Sequence, residues 1–437
     1  MSESKLFAVA GSPVLHSRSP QIFNALFQTQ KLDAVYFRLA ADSGAEIVET
    51  AKSMPLGGFN VTSPYKTEIM DYLDDISDES LQIGAVNTVV AESGGLKGYN
   101  TDHSGVVETL KQSGTDLKNK YVTILGAGGA ARAAAFGAIR ERAKKVVFLN
   151  RTIKNAEAAA VRLGCDFAPW KKRADVLNDS EILISCISTG QSFVEPDLLH
   201  KGLIVLDANY RDSQLLNDAA ENGCRTLSGE RWLINQALPA FKLMAGQNAP
   251  FHVQHSAMNF SRRPAVRKPN LALIGFMGTG KTTVGQRLSE SLGFEFLDID
   301  AAIEDSAGIP IDQIFKIKGE QAFRRMEKET IDQTVSGSKK TIFALGGGAI
   351  LQEENRAVLR RECTCIWLWG KLQSCLLHLG SSSRPLLESE SPEKTAQALL
   401  SARMPLYAET SDVAIVTESK SPEQTTKRIR HEMDQTF

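Results

Sequence analysis

The chain has 437 residues, more than one hydrophobic core of roughly 250–300 residues can serve, so two or three domains are expected. With 42% hydrophobic residues, 23% charged residues and a net charge of −1, the composition is that of an ordinary globular protein. It argues against a dominant nucleic-acid or anionic-membrane role. No apolar run approaches the roughly 20 residues needed to span a bilayer. The opening MSESKLFAVAGSP has no charged segment leading into an apolar one, so a cytoplasmic location is expected. The six cysteines form no C-x-x-C pair and no zinc-like spacing, and read as small buried apolar residues.

Strand and helix signals alternate from the start. Leu6–Ala10 reads as a strand, Pro20–Gln28 as a helix, and Ala34–Leu39 and Gly58–Val61 as further strands. A fresh unit opens with strand Tyr121–Leu125, helix Ala130–Ile139 and strand Val146–Asn150. Strands Ile182–Ser185 and Leu203–Asp207 and helix Arg231–Met244 continue it. Such alternation favours parallel sheets covered by helices on both faces. Residues 246–270 then break the pattern with three prolines and a cluster of Arg262, Arg263, Arg267 and Lys268. A third α/β unit follows, with strand Leu271–Gly275, helix Lys281–Leu292 and strands Phe294–Asp298, Phe343–Leu345 and Cys363–Trp369.

The expected division is therefore 1–249, a linker at 250–268, and 269–437. Within the first part, residues 1–101 and a returning helix at 237–249 form a substrate lobe, and residues 102–236 a nucleotide-binding lobe. Each half holds its own motifs and the connector is polar, so the halves are expected to work when separated.

Gly126-Ala127-Gly128-Gly129-Ala130-Ala131 follows a strand and opens an Ala-rich helix, the G-x-G-x-x-A pattern of a dinucleotide site. An NAD site carries an acidic residue about 20 positions on. Here the next strand ends in Asn150-Arg151-Thr152, with Lys154 beyond, and a guanidinium there suits a 2′-phosphate, so NADP(H) is favoured. Asn60–Lys66 sits just after a strand, and Gly98–Asp102 precedes the nucleotide-binding unit. Reducing a ketone builds charge on its oxygen, which calls for a proton donor within hydrogen-bond reach. Lys66 and Asp102 are the best candidates, since a lysine beside a carboxylate can shuttle a proton.

These segments, together with AVAGSPVLHSRSP, GAVNT, LNRT and GERWLINQA, resemble the shikimate dehydrogenase family over about Lys5–Gly246. The resemblance implies that Ser17 and Ser19 bind the substrate carboxylate and that Asn60, Thr62, Asn87 and Asp102 hold ring hydroxyls. It implies Lys66 and Asp102 as the catalytic pair, Gln236 closing on the substrate, and Tyr210 on the substrate side. His16, inside the serine loop, is read as structural. The chain departs from the family in two places: Ser185-Cys186-Ile187-Ser188 replaces the usual Asn-Ala-Thr-Ser, and Asp212 replaces a proline.

In the last third, Gly275–Thr282 (GFMGTGKT) matches G-x-x-x-x-G-K-[ST] between a strand and a helix. Backbone amides of Gly278, Thr279 and Gly280 and of the first helical turn through Thr283 can surround phosphate oxygens. Lys281 should reach the β- and γ-phosphates, and Thr282 should ligate Mg²⁺. Asp298 and Asp300 read as alternate residues on a strand end, both facing the crevice. Arg324 lies near a helix start, with Arg325 beside it as a decoy, and Gly346-Gly347-Gly348 ends a strand.

The set of P-loop, D-x-D, F-R-x-x-E, G-G-G, R-P-L-L and R-x-P-L-Y resembles the shikimate kinase family from about Leu271 onward. The resemblance implies Asp298 on the Mg²⁺ side and Asp300 on the shikimate hydroxyls, as a candidate to take a proton. It implies Arg324 and Arg403 as the clamp on the substrate carboxylate, and Arg384 as a lid arginine reaching the γ-phosphate.

The expected fold is α/β: an α/β substrate domain with a Rossmann NADP domain, then a P-loop, nucleoside-monophosphate-kinase-like parallel α/β domain. The resemblances imply reduction of 3-dehydroshikimate with NADPH, then phosphorylation of shikimate with ATP and Mg²⁺. Small molecules are the expected partners, with no nucleic acid and no membrane, and the oligomeric state stays open. Two rivals are weighed: an NAD-linked quinate/shikimate dehydrogenase beside another polyol-acid kinase, opposed by Arg151, and a non-catalytic sensor, opposed by the presence of Lys66, Asp102, Lys281 and Asp300.

Overall fold

The computed structural model describes residues 4–187, 191–210, 213–249, 268–379 and 391–434. The substrate lobe supplies β1 (Lys5–Gly11), β2 (Ala34–Ala40), β3 (Leu56–Val61), β4 (Asp75–Ile76), β5 (Thr88–Glu92) and β6 (Gly95–Tyr99). The nucleotide-binding lobe supplies β7 (Tyr121–Leu125), β8 (Lys145–Asn150), β9 (Asp166–Pro169), β10 (Ile182–Ser185), β11 (Ile204–Asp207) and β12 (Arg225–Ser228). The last part supplies β13 (Asn270–Ile274), β14 (Glu295–Asp298), β15 (Thr341–Ala344), β16 (Cys363–Trp369) and β17 (Val413–Val416).

The nucleotide-binding lobe is a parallel sheet in the order β12-β11-β10-β7-β8-β9. Its central strands are apolar almost throughout because helices cover both faces. Strand order reverses at β7, and a crevice opens beyond the C-terminal ends of the strands at such a point. Gly126 begins the loop that leaves β7 there.

The other sheet runs β14-β15-β13-β16-β17-β2-β1-β3-β5-β6-β4. Its first five strands belong to the C-terminal part and the rest to the substrate lobe. They join where β17 pairs in parallel with β2, Ala414 opposite Leu39 and Ile415 opposite Ala40. The hydrophobic core runs across the joint on both faces. Phe37 and Phe59 share one cluster with Trp367 and Tyr407, and Phe7 and Tyr36 share another with Ile366, Ile415 and Met433. The Phe37 ring lies 5.5 Å from Trp367, which stacks on Tyr407 at 5.6 Å. Ion pairs cross the same joint: Asp42 with Lys420 at 3.2 Å and with Arg428 at 2.7 Å, Glu46 with Lys420, and Glu49 with Lys371.

The two expected parts are in direct contact. Residues 250–267 lie outside the described residues, but the parts they connect share one sheet and one core. The physical reason is that β2 and β17 would each end its own sheet, and pairing them removes two open edges. The expected division after residue 236 also falls inside a single helix, Gly229–Ala245. That helix packs on helix Asp102–Gln112 and reaches back to the substrate lobe, where Phe241 lies 5.7 Å from Phe27. Gln236 therefore rides on an element that spans both lobes. Among the described residues no helix is long and apolar enough to cross a membrane.

Candidate active sites

In the first crevice, the chain leaves β3 at Val61 and turns through Ser63-Pro64 to Lys66. Lys66 Nζ donates to Asp102 Oδ2 at 2.5 Å, with side chains only 18% and 9% exposed. Asp102 is the first residue of helix Asp102–Gln112, where the helix field favours a carboxylate. Its other oxygen accepts from Asn87 Nδ2 at 2.9 Å, and Trp232 Nε1 donates to its backbone carbonyl at 2.9 Å. Asn87 Nδ2 also lies 3.2 Å from Gln236 Oε1, bringing the returning helix into the same cluster. Asn60 accepts from the Tyr36 hydroxyl at 2.6 Å and donates to Thr88 Oγ1 at 2.9 Å. Ser17 and Ser19 are buried, their hydroxyls 3.3 Å apart. Thr62 follows β3, its amide donating to the Ala10 carbonyl at 2.9 Å. Arg38 donates to the Ser17 carbonyl at 2.7 and 2.9 Å. Burial holds the Arg38 pKa below its ordinary value, and nearby Asp412 and Tyr210 oppose that shift.

The nucleotide-binding loop meets this cluster directly. Gly129 opens helix Gly129–Arg140, and a Cβ built on it would stand 3.3 Å from Lys66 Cβ. Ala130 is the second residue of that helix. A cavity of about 520 Å³ runs beside the loop, lined by Ala127, Gly128, Arg132, Asn150, Asn155 and Arg162 among others. Arg151, Thr152 and Lys154 are exposed beyond the end of β8. Asn150 Nδ2 donates to the Thr152 carbonyl at 2.9 Å. The loop and the helix start fit a dinucleotide pyrophosphate. Cys186, in the departure from the family pattern, is a half-buried thiol whose pKa is raised by desolvation. Ser188 and Asp212 lie outside the described residues.

In the second crevice, a cavity of about 760 Å³ is lined by Gly278–Thr283, Asp298, Asp300, Gly346 and Gly347, with Thr417–Lys420 across from them. Gly278 has φ +77, and a Cβ there would stand 2.1 Å from the Cys375 carbonyl, so only glycine fits. Lys281 begins helix Lys281–Leu292 and its Nζ donates to the carbonyls of Gly275 and Phe276 at 3.0 and 2.9 Å. Thr282 Oγ1 donates to Asp298 Oδ2 at 2.7 Å, a pairing that suits a shared divalent ion.

The sequence-based reason for the Asp298–Asp300 pair is corrected. Asp298 ends β14, but Asp300 lies in the first turn of helix Ile299–Ala307. Asp298 caps that helix, its Oδ1 accepting the Asp300 amide at 3.0 Å. Both carboxylates reach the crevice through a cap and a helical turn, not through strand alternation.

The glycine triplet is wrapped by charged groups. A Cβ on Gly346 would stand 2.6 Å from Asp300 Oδ1, and one on Gly348 2.4 Å from an Arg324 guanidinium nitrogen. The Gly347 carbonyl accepts from Arg403 Nη1 at 3.2 Å and from the Tyr407 hydroxyl at 2.5 Å. Arg324 pairs with buried Glu327 at 2.7 Å, whereas Arg325 is exposed. Burial pushes the Glu327 carboxyl up to about 7 against the pull of Arg324. His378 Nδ1 lies 3.1 Å from the Gly278 carbonyl. Arg384 lies outside the described residues.

Comparison with known proteins now bears on both crevices. Residues 9–89 match the shikimate dehydrogenase substrate binding domain and 108–210 the shikimate/quinate 5-dehydrogenase family. A shikimate dehydrogenase (NADP(+)) of Nitrosopumilus maritimus is 36% identical over 267 residues, 58% of this chain and 98% of that protein. The chain belongs to the shikimate dehydrogenase family. Residues 277–434 match the shikimate kinase family, so the chain also carries a shikimate kinase domain. The shikimate dehydrogenase of Aquifex aeolicus superposes with a TM-score of 0.56 at 34% identity, covering 59% of this chain and 98% of that one. That of Thermus thermophilus, solved with NADP(H) and shikimate, does so at 0.54 and 30% identity, covering 59% and 99%.

Some residues of the dehydrogenase and kinase sites escaped the sequence reading. Arg132 ties the nucleotide-binding helix to the substrate lobe, donating to the Ile83 and Gly84 carbonyls at 2.9 and 2.8 Å and to Thr67 Oγ1 at 2.8 Å. It stands six residues after Gly126 in an Ala-rich helix, the only charged residue between Gly129 and Ile139, and that isolation was a usable signal. Glu327 lies three residues after Arg324 on one helix, a spacing that brings side chains together. Tyr407 was visible in R-x-P-L-Y but was given no role.

Proposed function

We propose that the N-terminal crevice reduces 3-dehydroshikimate to shikimate with NADPH and that the C-terminal crevice phosphorylates shikimate with ATP. The observation that carries the reading is the 2.5 Å Lys66–Asp102 contact set against the start of the nucleotide-binding helix. When bound, NADPH supplies the hydride and ATP the phosphoryl group. Lys66 gives the proton to the developing alkoxide, and Asp102 holds the ammonium in place and receives a ring hydroxyl. Ser17 and Ser19 take the substrate carboxylate, Asn60, Thr62 and Asn87 take hydroxyls, and Gln236 and Tyr210 close the site. Gly126–Ala130 hold the pyrophosphate, and Asn150, Arg151, Thr152 and Lys154 the 2′-phosphate side.

In the kinase, Gly278–Thr283 cradle the phosphates, Lys281 neutralises them, and Thr282 with Asp298 holds Mg²⁺. Asp300 orients the attacking hydroxyl, Arg324 and Arg403 clamp the carboxylate at the glycine triplet, and Arg384 belongs to the lid. The working units are 1–249 and 269–437, and the enzyme acts in the cytoplasm.

The test is a coupled assay. The full chain is supplied with 3-dehydroshikimate, NADPH, ATP and Mg²⁺, and shikimate 3-phosphate should form with equimolar NADPH and ATP use. Unoxidised NADPH, or shikimate accumulating unphosphorylated, overturns the corresponding half. Equal rates with NADH would favour the quinate-type rival.

A further inference from the structure

The serine loop of the dehydrogenase, Ser12–Arg18, has no regular secondary structure between β1 and helix Ser19–Thr29. Its backbone groups therefore need partners from elsewhere. The Ser17 amide closes a turn onto the Val14 carbonyl at 2.9 Å, which leaves the amides at the head of the turn to be met. They are met from the kinase part. Glu432, on the last described helix Pro422–Asp434, accepts the Val14 amide at 2.7 Å and the Leu15 amide at 2.9 Å through one carboxylate oxygen. Glu432 is almost fully buried, as are Val14 and Leu15.

One turn earlier on the same helix, Arg428 donates to Ser12 Oγ at 2.8 Å and pairs with Asp42 at 2.7 Å. At the far end of the loop, Arg38 holds the Ser17 carbonyl and reaches the kinase backbone at Asp412, 3.0 Å away. The loop that presents Ser17 and Ser19 is thus fastened at its head and its tail to the kinase part.

We infer that Glu432 is a positioning residue of the dehydrogenase, contributed by the kinase part, which sets the serine loop for the substrate carboxylate. It touches no substrate and acts through the Val14 and Leu15 amides. The inference rests on the reading of Ser17 and Ser19 as carboxylate ligands. Two charge-assisted bonds to adjacent amides fix a turn that a loop of this length does not fix by itself. Loss of that fixation weakens binding of ground state and transition state alike, which raises KM and spares kcat.

The experiment measures both activities on full-length Glu432→Ala, Glu432→Asp, Glu432→Gln and Ser19→Ala. Glu432→Ala should raise the dehydrogenase KM for shikimate about tenfold, the scale of one lost charge-assisted bond. Its kcat, its KM for NADP⁺ and the kinase constants should stay within about twofold of the parent. Glu432→Gln, which keeps an acceptor oxygen at the same reach, should restore most of the affinity. Should Glu432→Ala lose both activities through misfolding, Glu432→Asp decides: one methylene shorter, it should raise the same KM alone. A parental shikimate KM in the folded variants, or equal falls of kcat in both activities, overturns the inference. Ser19→Ala separates the two ideas. If it raises KM and the Glu432 variants do not, only the positioning role fails; if it leaves KM unchanged, the carboxylate reading fails.

Discussion

Gly348→Ala tests the kinase site through geometry alone. Gly348 has φ −104 and ψ −4, which alanine adopts without backbone strain. Its new Cβ would stand 2.4 and 2.5 Å from the two terminal nitrogens of Arg324, so the guanidinium must move. One of those nitrogens also pairs with buried Glu327, so stability should fall by about 1–3 kcal/mol. Substrate binding should not escape, because the displaced group is the proposed carboxylate clamp. A lost charge-assisted pair costs about 1.5–3 kcal/mol, or about 10- to 150-fold in KM for shikimate. Initial-rate kinetics should show that rise with KM for ATP near the parent value. Dehydrogenase activity of the same chain reports whether the preparation is folded. A shikimate KM within about twofold of the parent would mean that Arg324 does not hold the substrate.

Four further outcomes are expected. Lys66→Ala should lower dehydrogenase kcat by about 10²- to 10⁴-fold and leave phosphorylation of added shikimate intact, and near-parental reduction would remove Lys66 from the chemistry. Arg151→Ala should weaken NADPH about tenfold and NADH less than about twofold, as coenzyme titrations would read; equal losses would show that Arg151 does not meet the 2′-phosphate. Glu327, raised from an ordinary 4.5 to about 7, favours folding fully below the lower value, and that contribution is lost as pH rises through the upper one. The melting temperature of Glu327→Gln relative to the parent should therefore climb between pH 5 and 8, and a pH-independent difference would refute the assignment. Cut within 250–267, the two parts should stay bound and co-migrate on gel filtration, whereas separate migration would show that the β2–β17 joint holds little.

The chemistry-bearing loops were legible because their requirements are local. A strand, a glycine turn and a helix start within a few residues are the frame of a phosphate site, and both frames are formed where the sequence places them. Lys66 and Asp102, thirty-six residues apart, were found as chemical types, and the fold brings them to 2.5 Å. Asp300 shows the opposite case, a residue that lines the crevice but from another element than expected. Asp-Ile-Asp suits a strand end by alternation, but an aspartate also caps helices well, and the cap prevailed.

The joint between the two parts was not legible, for reasons that apply to each of its pieces. Arg428 and Glu432 sit four residues apart on a helix rich in charged side chains, which by pattern alone is a solvated face. Burial gives them another meaning: each is surrounded by loop backbone of the dehydrogenase, where polar groups without secondary structure must find partners. β2 and β17 carried an equally ambiguous signal, since AVYFRLA and VAIV suit the middle or the edge of a sheet. Only pairing decides between the two, and pairing is a long-range property. A connector that is polar and proline-bearing speaks to its own conformation and not to the surfaces at its ends. Fusion here has a structural consequence: the sheet edge of one part is closed by the other, and the loop between β1 and Ser19 is held by a helix encoded some 400 residues downstream.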